Sequence, residues 1–105
     1  MADPLARRIG EAIKRRIPDA RVILFGSRAR GEALKHSDVD LIVVSNVFRG
    51  MHFTDRASYV LRILWEEGVR PGVDVDLLCY TPEEFEKKRG EVGVVREALK
   101  KGVEL

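Results

Sequence analysis

Apolar residues recur every fourth position at the start of the chain. Leu5, Ile9, Ile13 and Ile17 form one helical stripe, which Pro18 ends. Asp3 ahead of Pro4 reads as an N-cap with proline in the first helical position, and Arg7, Arg8, Lys14, Arg15 and Arg16 fall mostly off the stripe. The run RVILF (21–25) is a short β-rich segment stopped by Gly26, and GSRARGEALKHS (26–37) reads as a turn with room for one helical turn. In the next strand, DVDLIVV (38–44), period two places Asp38, Asp40, Ile42 and Val44 on one face and Val39, Leu41 and Val43 on the other. After a loop over 45–53, Thr54 is positioned to cap a helix running to Glu67, with Ala57, Val60, Leu61 and Leu64 at helical spacing and Gly68 as the stop.

Tyr59 and Ile63 draw a second apolar line on that helix. With Met51 and Phe53 they make more apolar surface than one core contact requires, which marks a candidate partner face, although simple burial is the favoured reading. A third strand over 73–80 puts Val73, Val75, Leu77 and Cys79 on one side and Asp74 and Asp76 on the other. Thr81 and Glu84 then form a capping box, with Pro82 in the first helical position. A last helical segment carries Val92, Val95 and Leu99, with Gly102 as its C-cap. Helices interleaved with three strong strands predict an α/β or α+β fold, as a two-layer sheet.

Composition narrows the class. The 105 residues fit a single domain over 1–105, 45% of them hydrophobic and 34% charged. Their aliphatic content and balanced charge argue against disorder. No apolar run approaches the roughly 18 residues that cross a bilayer, and the N-terminal segment lacks the pattern of a signal peptide. One cysteine allows no internal disulfide, so a reducing cytoplasm is expected. The absence of Gln, the single Asn46 and the abundance of Arg point to a heat-adapted source.

A net charge of +2 is too small to argue for nucleic acid as partner. Its distribution says more: residues 1–37 carry +5 and residues 38–105 carry −3. That division sets cations suited to phosphates beside carboxylates suited to metal, although solvated helix faces account for most of these charges.

The chemistry concentrates in two segments. A strand running into Gly26-Ser27 and a tight turn exposes backbone N–H groups, and with the Ser27 hydroxyl these can bind phosphate oxygens. Asp38 and Asp40 point the same way at the start of an apolar strand. Like charges about 4 Å apart repel by roughly 4 kcal/mol at an effective dielectric of 20, a cost that a divalent cation offsets. Oxygen ligands select Mg²⁺ or Mn²⁺ over zinc. A third acid on a neighbouring strand can complete such a site and accept a proton. Asp76 lies deeper in its strand than Asp74 and is preferred, with Asp74 left open. Arg28 and Arg30 can each neutralise phosphates or pack the turn, Arg30 being the one favoured as structural. His36 and His52 read as solvated loop histidines, and Cys79 as a small buried hydrophobe. Three carboxylates, a phosphate-cradling turn and nearby arginines suit phosphoryl or nucleotidyl transfer.

The segment FGSRARGEALKHSDVDLIVV resembles the signature of minimal nucleotidyltransferases of the DNA polymerase beta superfamily: Gly-Ser, about ten residues, then Asp-x-Asp on a strand. Here ten residues, 28–37, separate Ser27 from Asp38. VDVDLLCYTPEEF is similar to the family's later segment, with Asp76 at the acidic position. The resemblance implies a small mixed sheet flanked by helices, with ATP as substrate and two Mg²⁺ ions held by Asp38, Asp40 and Asp76. Gly26 and Ser27, with Arg28 and Arg30, would lie against the nucleotide's phosphates. It further implies a HEPN-domain toxin as partner, silenced by transfer of AMP to one of its tyrosines, so that this chain acts as an antitoxin. Two other readings stay open: a non-catalytic antitoxin that blocks the toxin by contact, and a catalytic subunit acting on a small molecule or RNA. A chain this short leaves little room for an acceptor-binding domain, so a homo- or hetero-oligomer is expected.

Overall fold

The computed structural model describes residues 3–34 and 36–105. Helix α1 (Pro4–Arg16) begins where expected: the Asp3 carboxylate accepts from the N–H groups of Leu5 and Ala6 at 3.0 and 3.1 Å. Strand β1 (Arg21–Phe25) runs directly into α2 (Gly26–Ala29), a single helical turn. Strand β2 (Val39–Val44) follows, then a 3₁₀ turn (Asn46–Phe48) and helix α3 (Phe53–Glu66). Strand β3 (Val75–Tyr80) leads into α4 (Pro82–Arg89), which starts on the Thr81/Glu84 capping box. Helix α5 (Val94–Lys101) ends at Gly102, and the chain closes with a two-residue strand, β4 (Val103–Glu104).

The sheet is mixed, in the order β3-β2-β1-β4. Strands β1 and β2 pair antiparallel, β2 and β3 parallel, and β4 lies antiparallel on the outer edge of β1. A parallel pair needs a crossover, and α3 supplies it between β2 and β3.

Helices cover both faces, so the sheet is the middle of three layers rather than one of two. Helices α1 and α3 bury Ile9, Ile13, Val60 and Leu64 against Val22, Leu24, Leu41 and Cys79. On the opposite face α4 and α5 bury Phe85, Val95 and Ala98 against Ile23, Ile42, Val44 and Tyr80. The physical reason lies in β2. Ile42 and Val44 share a face with Asp40, and their apolar surface requires a cover of its own.

Two further expectations are corrected. The helix expected to start from a Thr54 cap is capped two residues earlier, at His52, whose side chain makes no capping bond, and starts at Phe53. The second and third strands start later than the β-pattern predicts, leaving Asp38 and Val73–Asp74 just outside the ladder. The second apolar line is mostly spent on the core, as the favoured reading has it: Ile63 is buried, Met51 and Tyr59 pack against the larger cluster, and Phe53 is exposed, with its ring 5.7 Å from that of Tyr80. The outward apolar residues of α3 are instead Leu61 and Trp65. Among the described residues no helix is long and apolar enough to cross a membrane.

Candidate active site

Register decides which acids meet. Parallel pairing of β2 with β3 sets Asp40 opposite Asp76, and antiparallel pairing sets Phe25 opposite Asp40. The face carrying Ile23, Ile42 and Leu78 in its interior therefore ends in a carboxylate pair beside the last residue of β1. Burial raises the Asp40 pKa. A hydrogen bond shared with Asp76 and the negative charge of that residue act in the same direction, as does Asp38, while Arg30 pulls the other way. Asp38 lies immediately before β2, exposed, yet close enough to be felt at Asp40. Its neighbour Val39 donates its N–H to the Asp74 carbonyl at 2.9 Å, which fastens the entrance of β2 to that of β3. Asp74 is exposed.

Gly26 binds this pair to the turn. Its φ of +75° is the left-handed conformation that glycine tolerates, and a Cβ placed there would stand 2.3 Å from Asp40 Oδ2. No other residue lets the turn approach the carboxylate so closely. Ser27 follows half-buried, its hydroxyl without a hydrogen-bond partner among the described residues. In a single helical turn the first N–H groups have no acceptor within the helix, so this bend offers donors next to an acidic pair.

The two arginines, each left open between packing the turn and meeting phosphates, differ in their surroundings. Arg28 is the structural one: its guanidinium donates twice to the Ser37 carbonyl, at 2.9 and 2.7 Å, and to Asp3 Oδ2 at 2.8 Å, with 7% of the side chain exposed. It ties the loop ahead of Asp38 to the cap of α1. Arg30 is exposed, pairs loosely with Glu32 at 3.4 Å, and is the cation that acts on Asp40. Ser37 closes a turn by accepting from the Leu34 N–H at 2.9 Å.

A family model described as nucleotidyltransferase domain matches residues 6–105, from the first turn of α1 through the carboxylate pair to the last residue. The chain belongs to the nucleotidyltransferase domain family. It is 38% identical over 71 residues to the bifunctional uridylyltransferase/uridylyl-removing enzyme of Methylococcus capsulatus, a match over 64% of this chain and 8% of that protein. It is 34% identical over 67 residues to a protein of Methanocaldococcus jannaschii named "putative protein adenylyltransferase", over 64% of this chain and 45% of that one. The chain thus corresponds to less than half the length of either relative. A crystal structure titled as a "putative nucleotidyltransferase" from Sulfolobus solfataricus superposes with a TM-score of 0.57 at 32% identity, over 79% of this chain and 69% of that one.

Nucleotidyltransferase domains use a nucleoside triphosphate with a divalent metal, and the donor set here fits one. Asp40 and Asp76 present only oxygen, as Mg²⁺ and Mn²⁺ prefer, and their mutual repulsion is relieved by a bound cation. Among the described residues no three His, Cys, Asp or Glu side chains are already gathered into a metal site. Asp40 and Asp76 form the assembled pair, and Asp38 stands at its margin.

One hollow borders Gly26 and another borders Asp76. The first, of about 440 Å³, opens between the β1–α2 bend and α5, with Gly26, Arg30, Glu97, Lys100 and Lys101 in its lining. Its lysines were not anticipated from the sequence; the available signal was the Lys-Lys pair ahead of Gly102. The other hollow, of about 380 Å³, lies along β3, where Asp74 and Asp76 meet Trp65 and Arg70; the Arg70 guanidinium sits 3.6 Å from the Trp65 ring.

Proposed function

We propose that this nucleotidyltransferase domain moves AMP from ATP to a hydroxyl on a partner protein, the expected acceptor being a tyrosine of a HEPN-domain toxin that the transfer silences in the cytoplasm. The observation that carries the chemistry is the Asp40–Asp76 pairing against the Gly26 bend. The protein acceptor draws support from the relative named for protein adenylyltransfer, and the wider reaction class from the relative named for uridylyl transfer.

In this reading Gly26 and Ser27 hold phosphate oxygens through backbone N–H groups and the free hydroxyl, and Arg30 adds positive charge. Arg28 acts indirectly, keeping the loop before Asp38 in place. Asp38, Asp40 and Asp76 would hold Mg²⁺, which when bound polarises the α-phosphate and neutralises the departing pyrophosphate. The acceptor oxygen bonds to the α-phosphorus as the bond to the bridging oxygen breaks. Pyrophosphate leaves, and the hydroxyl proton passes to Asp76. In-line displacement brings the acceptor from the side opposite the leaving group, which suits entry along β3, where Asp76 borders the hollow beside Trp65.

The test is transfer of α-labelled ATP in Mg²⁺ to the co-expressed partner. Mass spectrometry should find one or more AMP units on the partner's tyrosine. Label transfer that survives Asp38→Ala with Asp40→Ala refutes the mechanism. Toxin neutralisation that survives the same change establishes blocking by contact instead.

A further inference from the structure

We propose that α5 forms a wall of the nucleotide site, with Lys101 binding the β- and γ-phosphates in the cleft it shares with Arg30 and thereby selecting triphosphates over monophosphates. This rests on the reading of the domain as one that binds a nucleoside triphosphate, and assigns the phosphate tail a place and a residue.

Lysines in the last turn of a helix complement its dipole wherever they point. Three features give Lys101 a second role. The first is position. Strand β4 pairs Val103 with Leu24 and Glu104 with Ile23, antiparallel. Lys101 lies two residues before that ladder and Gly26 two residues after its β1 end, and both line one hollow. The second is the lack of slack. A Cβ at Gly102 would stand 2.6 Å from the Ala98 carbonyl oxygen and 3.2 Å from that of Leu24. The chain therefore passes hard against β1, and the end of α5 is held beside the bend.

The third is charge. Of the ionic groups in this cleft, Lys100 is paired with Glu97 at 3.1 Å and Arg30 lies 3.4 Å from Glu32. No carboxylate among the described residues forms a salt bridge with Lys101. One uncompensated ammonium and one loosely held guanidinium thus line the same cleft of about 440 Å³, which opens at Gly26. The Asp40 carboxylate stands against Gly26 and is not part of the lining of this cleft. The sequence across the site is acid pair, glycine bend, cations. A triphosphate laid along it has its α-phosphorus at the carboxylates and its terminal phosphates between Arg30 and Lys101.

The experiment measures binding of ATP, AMP and inorganic tripolyphosphate, each with Mg²⁺, by titration calorimetry. It uses the full chain carrying Lys101→Ala, Lys101→Glu or Lys101→Arg, with Lys87→Ala on α4 as control. Lys101 is exposed, so all variants should melt with wild type. Loss of one charge-assisted hydrogen bond corresponds to about a tenfold change in affinity. Lys101→Ala should weaken ATP and tripolyphosphate by about that factor and leave AMP within about twofold. Lys101→Glu should weaken them further, Lys101→Arg should restore them, and Lys87→Ala should change nothing. Unchanged tripolyphosphate affinity in Lys101→Ala, or equal loss of AMP, overturns the proposal. Tripolyphosphate binding that depends on Lys101 without any label transfer leaves this proposal standing and defeats the transferase reading. Undiminished transfer at limiting ATP in Lys101→Ala does the reverse.

Discussion

Replacing Asp40 with asparagine keeps the shape of the side chain and removes its charge, which isolates the repulsion stored in the acid pair. Adjacent strands run about 4.8 Å apart, and two unit charges about 5 Å apart repel by roughly 3 kcal/mol at an effective dielectric of 20. Asp40 is only half-buried and Asp76 is exposed, so solvent screening lowers the penalty to about 1 kcal/mol. For a domain of this size that corresponds to a rise in Tm of about 4 °C for Asp40→Asn at pH 7 in EDTA. The sign follows from linkage. Burial first, then Asp76, raises the Asp40 pKa in the folded state, so the folded protein holds this proton more tightly than the unfolded chain, where the carboxyl titrates near about 3.9. Wild-type stability is therefore intact below that pH and falls as pH rises through the higher folded value. Thermal melts followed by circular dichroism from pH 3 to pH 8 should show the advantage of the substitution absent at the acid end and full at neutrality. Mg²⁺ or Mn²⁺ should raise the wild-type Tm with concentration and the variant's much less. An Asp40→Asn variant that melts below wild type at pH 7, or whose advantage is the same at pH 3, would refute the reasoning.

Other perturbations probe the supports of the site. Gly26→Ala forces a left-handed backbone onto an L-residue, at about 1–2 kcal/mol, and drives a methyl into Asp40 Oδ2; urea titration should show that loss, partly recovered in the double variant with Asp40→Ala. Arg56, with 7% of its side chain exposed, donates to the Met51 and Cys79 carbonyls and to Glu84, so Arg56→Ala should cost about 2 kcal/mol by chemical denaturation. Its hydrogen bond holds the Glu84 carboxyl below the usual range against the opposing effect of burial. That contribution is present above the unfolded glutamate pKa and is lost as pH falls through the lower folded value, so the gap between wild type and Arg56→Ala should narrow in acid. Burial pushes the Cys79 thiol up to about 12, so at pH 8 a thiol reagent should label the native protein only at the rate of its unfolding.

The readable parts of the fold were those with a local cause. The Asp3 cap, the α1 stripe, the apolar run of β1 and the Thr81/Glu84 box each depend on residues within a few positions of one another, and each stands where its pattern places it. Strand β4 has no such cause. Two residues carry no period, and Val103–Glu104 is a strand only because β1 has a free edge to receive it. The third layer was implicit in Ile42 and Val44 on the aspartate face, which no two-layer arrangement could bury. The pairing of Asp40 with Asp76 rather than Asp74 depends on register across a parallel ladder, and a crossover sets that register far from either residue.

The arginines show why the site was harder to read than the fold. Arg28 and Arg30 are two positions apart on one turn, so they leave it in different directions, and which of them faces the acids depends on what waits on each side. Asp3 waits for Arg28, already engaged in capping α1, and the Ser37 carbonyl completes the grip; Arg30 is left toward the carboxylates by exclusion. The same logic applies at the other end of the chain. Lys100 and Lys101 look like the basic last turn of any helix until the β4 ladder and the confined Gly102 draw that turn up to Gly26. A glycine–serine bend and an Asp-x-Asp strand belong to one continuous segment and declare themselves by spacing. The cations that complete the cleft arrive from the far end of the chain, and two ladder pairs bring them there.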